Sequence, residues 1–72
     1  MRIVYNAKTD LLPLRLDDQK QQVVNRRPSE NIVLDMGEGG RIVGIEIPDA
    51  SKHVNLENLL PVGYEAVSPA GE

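Results

Sequence analysis

Several stretches of the chain alternate apolar and polar residues with a period of two, the spacing of a half-buried β-strand. The clearest lies between Asn31 and Ser51. In Asn31 to Met36, the residues Ile32, Leu34 and Met36 share one face and Val33 and Asp35 the other. Gly37-Glu38-Gly39-Gly40 reads as a turn, where glycine permits positive φ. In Arg41 to Ile47, Val43, Ile45 and Ile47 share a face, with Ile42, Gly44 and Glu46 opposite. β-Branched residues dominate this second strand, as a pleated, half-buried surface favours. Gly44 inside a strand predicts a bulge or a close backbone approach.

Upstream, Arg2 to Asn6 sets Ile3 and Tyr5 against Arg2, Val4 and Asn6. Asn6 to Asp10 follows as a turn, in which short polar side chains can accept backbone hydrogen bonds. Leu11 to Leu16 sets Leu12, Leu14 and Leu16 against Leu11, Pro13 and Arg15. Pro13 has no N–H for a sheet ladder, which predicts an edge strand or a nitrogen facing solvent. Asp17 to Gln22 reads as a loop, and Gln22 to Arg27 as a weaker strand ended by Pro28-Ser29-Glu30.

Downstream, Pro48-Asp49 stops the strong hairpin. Asp49 is expected to cap a helical turn through Ser51 to His53, and Asn55 a short helix from Leu56 to Leu60, stopped by Pro61. Leu56, Leu59 and Leu60 fall at i, i+3 and i+4, so that helix would lay an apolar side on the sheet. These elements predict one β-rich α+β domain over residues 1–62. Its architecture is an antiparallel β-meander of four to five strands with a short C-terminal helix. Residues 63–72, with Gly63, Pro69 and Gly71, read as a fraying tail.

At 72 residues the domain is small. Folding buries only roughly 60–65% of the surface an unfolded chain of this size exposes. Stability on the order of 5 kcal/mol or less is expected for a chain that stands alone. The absence of cysteine excludes disulfides and Cys-based metal sites, and the single His53 excludes a multi-histidine site within one chain. Self-association or a partner remains as the means of adding buried surface. Aromatic residues make up 3% of the chain, with no Phe or Trp, so the core must be aliphatic. A net charge of −3 argues against nucleic-acid binding through a broad positive field. No apolar run approaches the roughly 18–20 residues of a membrane span, and no secretory signal is apparent at MRIVYNAK. A cytoplasmic location is expected.

The residues Tyr5-Asn6, Asp10-Leu11-Leu12, Ile32 to Asp35, Gly37 to Gly40, Ile42 to Ile47 and Asp49-Ala50-Ser51 form an ordered pattern. It resembles that of the DUF2283 family of small prokaryotic proteins. Asn6 stands where the family pattern has an acid, and Pro13 interrupts its second strand. The resemblance covers about Met1 to Ser51. It implies a small β-rich domain with no established activity. It also implies an antitoxin-like role, as partner of a small toxin-like protein of ribonuclease fold.

Five groupings invite a chemical reading. Asp35, Glu38 and Glu46 could hold a divalent cation, but the loop lacks the alternating oxygen ligands of a calcium site, and solvated or cross-strand-paired carboxylates are the expectation. The glycine turn leads into a strand and carries Glu38, so it is no phosphate cradle. Asp49, Ser51 and His53 lie too close in sequence for triad geometry and read as capping residues beside an exposed histidine. Lys8, Arg15, Lys20, Arg26 and Arg27 lack interleaved aromatics and read as solvated. Val4, Leu11, Val33 and Ile42 place apolar side chains on the face that should be polar if it met only water, and they form the candidate interface. The expectation is a non-catalytic protein–protein interaction module without cofactor or metal. The alternative is a small ligand-binding or enzymatic domain whose site gathers Asp10, Asp35, Glu46 or His53 from different subunits.

Overall fold

The computed structural model describes residues 1–59 and 61–67. Alternating segments form β1 (Arg2–Ile3), β2 (Leu12–Arg15), β3 (Val24–Ser29), β4 (Ile32–Met36) and β5 (Ile42–Ile47). They make one five-stranded sheet in the order β1-β2-β5-β4-β3, with every neighbouring pair antiparallel. β1 and β2 are a hairpin, and β3, β4 and β5 a consecutive meander. β5 unites the two units by pairing with β2. The expected five-stranded antiparallel sheet is therefore present.

Local chemistry explains the turns. The Asn6 side-chain oxygen accepts from the N–H groups of Lys8 (3.0 Å) and Thr9 (3.3 Å), an Asx-type turn. Gly39 and Gly40 have φ of 70° and 75°, which glycine adopts without Cβ strain. At Gly44 a Cβ would lie 2.8 Å from Asp35 Oδ2 and 3.3 Å from the Leu14 carbonyl oxygen. The close approach read from this glycine is therefore real. A register shift sits beside it: Asp35 pairs with Gly44 but Met36 with Ile42, so Val43 is an extra residue on β5.

Three expectations need correction. No α-helix forms at the C-terminal end of the described chain. Ala50–Lys52 and Leu56–Asn58 are single 3-10 turns. So short a helix fixes several residues for very few hydrogen bonds. The expected Asn55 cap is made, its oxygen accepting from Glu57 N–H at 3.2 Å, while Leu60 lies outside the described residues. Asp49 makes no side-chain cap and takes left-handed backbone, φ 50°. Lastly, of the two readings of Pro13 the edge strand is not realised: β2 is interior, between β1 and β5. The β1 ladder covers only Arg15 and Leu14 and stops opposite Pro13, which has no N–H to give. Residues 62–67 carry no regular structure, and the rest of the expected tail, 68–72, lies outside the described residues.

Few side chains are fully buried. Leu12, Val43 and Ala50 make up the buried hydrophobic core. Ile3, Leu14, Leu34, Ile45 and Ile47 are half-buried. The radius of gyration, 14.1 Å, exceeds the roughly 11 Å of a compact chain this long.

Candidate functional site

Cross-strand partners in an antiparallel sheet lie on one face, so the registers read as rows. On the first face, Ile3, Leu14, Ile45 and Leu34 follow one another across four strands and end on Arg26. A second row on that face runs Val24, Met36, Ile42. On the opposite face Arg2, Arg15, Gly44, Asp35 and Asn25 form a polar row. Beside it Pro13, Glu46 and Val33 are successive partners.

Asp10 joins the N-terminal hairpin to the segment after β5. Tyr5 donates its hydroxyl to Asp10 Oδ1 at 2.5 Å. Ser51 donates its backbone N–H to Oδ1 at 3.0 Å and its hydroxyl to Oδ2 at 2.6 Å. Ala50 N–H reaches the Asp10 carbonyl at 2.9 Å. Asp10 itself is left-handed, φ 54°, a region that Asp tolerates better than most residues. The hydrogen bonds from the Ser51 and Tyr5 hydroxyls hold its carboxyl below the ordinary range, and the same contact raises the Tyr5 hydroxyl. With both oxygens engaged, this carboxylate is a structural clasp. Sequence reasoning does not assign it that role. The signal is present in the sequence all the same, since Tyr5, Asp10 and Ser51 all belong to the ordered family pattern.

Asp35 and Glu46 meet on the second face. They flank Gly44, whose missing side chain leaves room for Asp35. Asn25 Nδ2 donates to Asp35 Oδ1 at 2.5 Å. The Glu46 carboxyl is pushed up by its hydrogen bond with Asp35, by partial burial and by the Asp35 charge, against the opposing pull of Arg27. A shallow depression of about 380 Å³, lined by Pro13, Arg15, Val23, Asp35, Gly44 and Glu46, surrounds the pair.

Of the three carboxylates read as a cation candidate, the structure brings together Asp35 and Glu46. Glu38 sits in the separate turn Glu38–Gly40. Among the described residues no group of three or more His, Cys, Asp or Glu is placed to hold a metal ion. The turn's Glu38 N–H is occupied by Gln21 Oε1 at 2.8 Å. Ser51 bonds to Asp10 rather than to Asp49 or His53, and His53 is exposed. The basic residues are dispersed: Arg15 pairs with Gly44 on the second face, and Arg26 with Leu34 on the first.

The candidate interface residues also divide. Val33 lies on the second face opposite Glu46 and is half-buried. Val4, 53% exposed, sits against Arg2, Pro13 and Arg15. Leu11 bridges to Asn6 and is half-buried. Ile42 is displaced by the extra residue at Val43: its partner is Met36, which aligns it with the first face.

These features define a small antiparallel β-sheet domain whose N-terminal hairpin is clasped to the segment after its last strand. The chain belongs to the DUF2283 family, described as "Protein of unknown function"; the family model matches residues 2–51. The match ends at Ser51, the residue that closes the clasp on Asp10. No curated protein and no solved structure matches the chain. No helix among the described residues is long and apolar enough to cross a membrane.

Proposed function

We propose that the chain is a non-catalytic protein–protein interaction module. The observation that carries this reading is a group of large apolar side chains left exposed on one face of the sheet. Met1, Ile3, Tyr5, Leu56, Leu59 and Val62 line an open groove on the β1 side, where Met1, Tyr5 and Val62 are 65%, 37% and 51% exposed. At the other side Val24, Ile32 and Ile42 remain 61%, 38% and 45% exposed. Apolar surface grouped in this way marks an interaction site rather than scattered surface residues. Two partner classes fit: a further copy of the chain, or a small toxin-like protein of the kind the family resemblance implies, with the chain as its antitoxin-like binder.

A second reading, a ligand-binding or enzymatic site formed between subunits, is favoured by one observation. The Asp35–Glu46 pair has the raised carboxyl that general acid chemistry uses. That pair lies in an open depression on the second face.

The deciding experiment is affinity capture of the tagged chain from its host, repeated with Val24→Glu and Val33→Glu. A stoichiometric small basic protein that is lost with either variant supports the antitoxin-like form of the reading. Recovery of a monomeric chain alone removes the interaction-module reading. The enzymatic alternative is then tested by small-molecule shifts of the Glu46 carboxyl resonance.

A further inference from the structure

The uncovered patch is built from adjoining rows of the first face. Val24, Met36 and Ile42 form one, Leu34 ends the other beside Arg26, and Ile32 follows at the head of β4. We propose that a second copy of this chain packs face to face on this patch across a two-fold axis, so that two incomplete cores become one. The proposal rests on the interaction-module reading and names both the surface and its occupant.

Three observations favour a second copy. The first is area. The chain exposes 5968 Å², whereas a compact monomer of 8.0 kDa exposes about 4450 Å². A standard interface removes about 800 Å² from each partner, roughly half of that excess. The extended, exposed stretch 61–67 supplies a further share. The second is charge. Arg26 and Glu38 both border the groove over Val24 and Met36. The patch therefore carries one cation and one anion, as a self-complementary two-fold contact requires. Rotation sets the Arg26 end of one copy against the Glu38 end of the other. The third is the edge. β3 is the outer strand, but it contains Arg26, Arg27 and Pro28 and a register shift between Arg26 and Ser29. These devices oppose edge-to-edge pairing. Face-to-face stacking, with sheets about 10 Å apart, remains.

The test is the solution mass of the full chain by sedimentation equilibrium over a wide concentration range. The expected mass is twice that of the chain. Val24→Glu is expected to reduce it to that of the monomer. Val24 is 61% exposed in the single chain, so the variant should keep its strands, as far-UV circular dichroism would verify. If it does not, Arg26→Glu is the second variant, expected to weaken association at least tenfold by placing like charges together. Val33→Glu, on the other face, is expected to leave the dimer intact. A monomeric wild-type mass throughout overturns the second copy as occupant, while the capture experiment still tests the broader reading. A dimer broken by Val33→Glu but not by Val24→Glu overturns the surface.

Discussion

The two sides of this sheet solve the same problem differently. Near β1, the segment after β5 returns to the apolar face and lines an open groove with it. Ile3 lies among Met1, Tyr5, Leu56, Leu59 and Val62, and the Asp10 clasp ties the hairpin to the start of that segment. Near β3, the groove over Val24 and Met36 is lined by Gln22, Arg26, Gly37, Glu38 and Gly40, and Ile42 in the same row is 45% exposed. The difference lies in the segment downstream of β5: held at Asp10, it helps line the groove on the β1 side and is absent from the lining of the groove on the β3 side. A sheet needs a second layer on its apolar face, and the described residues leave large apolar side chains exposed on both sides.

Core truncation tests that contrast most forcefully. Leu12→Ala removes a side chain that is 1% exposed and should cost about 2–5 kcal/mol, enough to unfold a domain whose stability is of the order of 5 kcal/mol. Leu34→Ala, at a half-buried position beside the open patch, should cost less in the monomer, about 1–2 kcal/mol given its partial burial. Urea midpoints at low protein concentration would compare them. Equal losses would mean that the β3 side is as well covered as the β1 side.

The clasp is the next lever. Asp10→Ala should abolish hydrogen-exchange protection at Ser51 and weaken it at Ala50, leaving the β4–β5 amides protected. Because the folded Asp10 carboxyl sits below its ordinary range, its contribution is fully present above the unfolded-state value. That contribution disappears as pH falls through the lower, folded value. Acid strong enough to take the pH below the ordinary aspartate range should therefore loosen the Ala50–Lys52 turn in wild type before the strands melt. Loss of protection throughout the sheet at once would show that the clasp and the sheet form one cooperative unit.

Legibility in the sequence obeys the same division. Period-two alternation locates β4 and β5 nearly to the residue, because both are flanked by turn residues and Gly44 announces its own close approach. For β3 the sequence pattern falls two residues too early at each end. All residues of that strand are exposed, so no apolar alternation marks its limits, and Pro28 is tolerated because the strand is at an edge. Pro13 allows two readings, and only that of an edge strand fails. A ladder can stop at a proline on one side while the other side stays paired, so an interior strand can carry one. The position of Ile42 is hidden from alternation, since one extra residue at Val43 reverses the faces beyond it. The Asp10–Ser51 contact spans 41 residues, and spacing alone cannot foresee such a meeting. The C-terminal helix fails because three leucines at helical spacing do not outweigh the nucleation cost of so short a segment.

The smallest expected effect concerns Glu46, on the strand where the two halves join. Its carboxyl is raised, first by the hydrogen bond with Asp35 and then by partial burial, so its sign is opposite to that of Asp10. The folded state holds the Glu46 proton more tightly than the unfolded chain does. Stability associated with this site is therefore greatest below the unfolded-state value and is lost as pH rises through the folded one. At neutral pH the ionised pair of carboxylates is a small liability, offset by Arg27. Glu46→Gln should consequently raise the urea midpoint at pH 7 by an amount equivalent to less than about 1 kcal/mol, because the group is only partly buried and solvent screens much of the repulsion. At pH 3 it should leave the midpoint unchanged. A gain at both values would trace the effect to packing around Gly44 rather than to charge. A loss at pH 7 would mean that the Arg27 attraction outweighs the repulsion from Asp35, and that the second face is held together at this point by an ion pair.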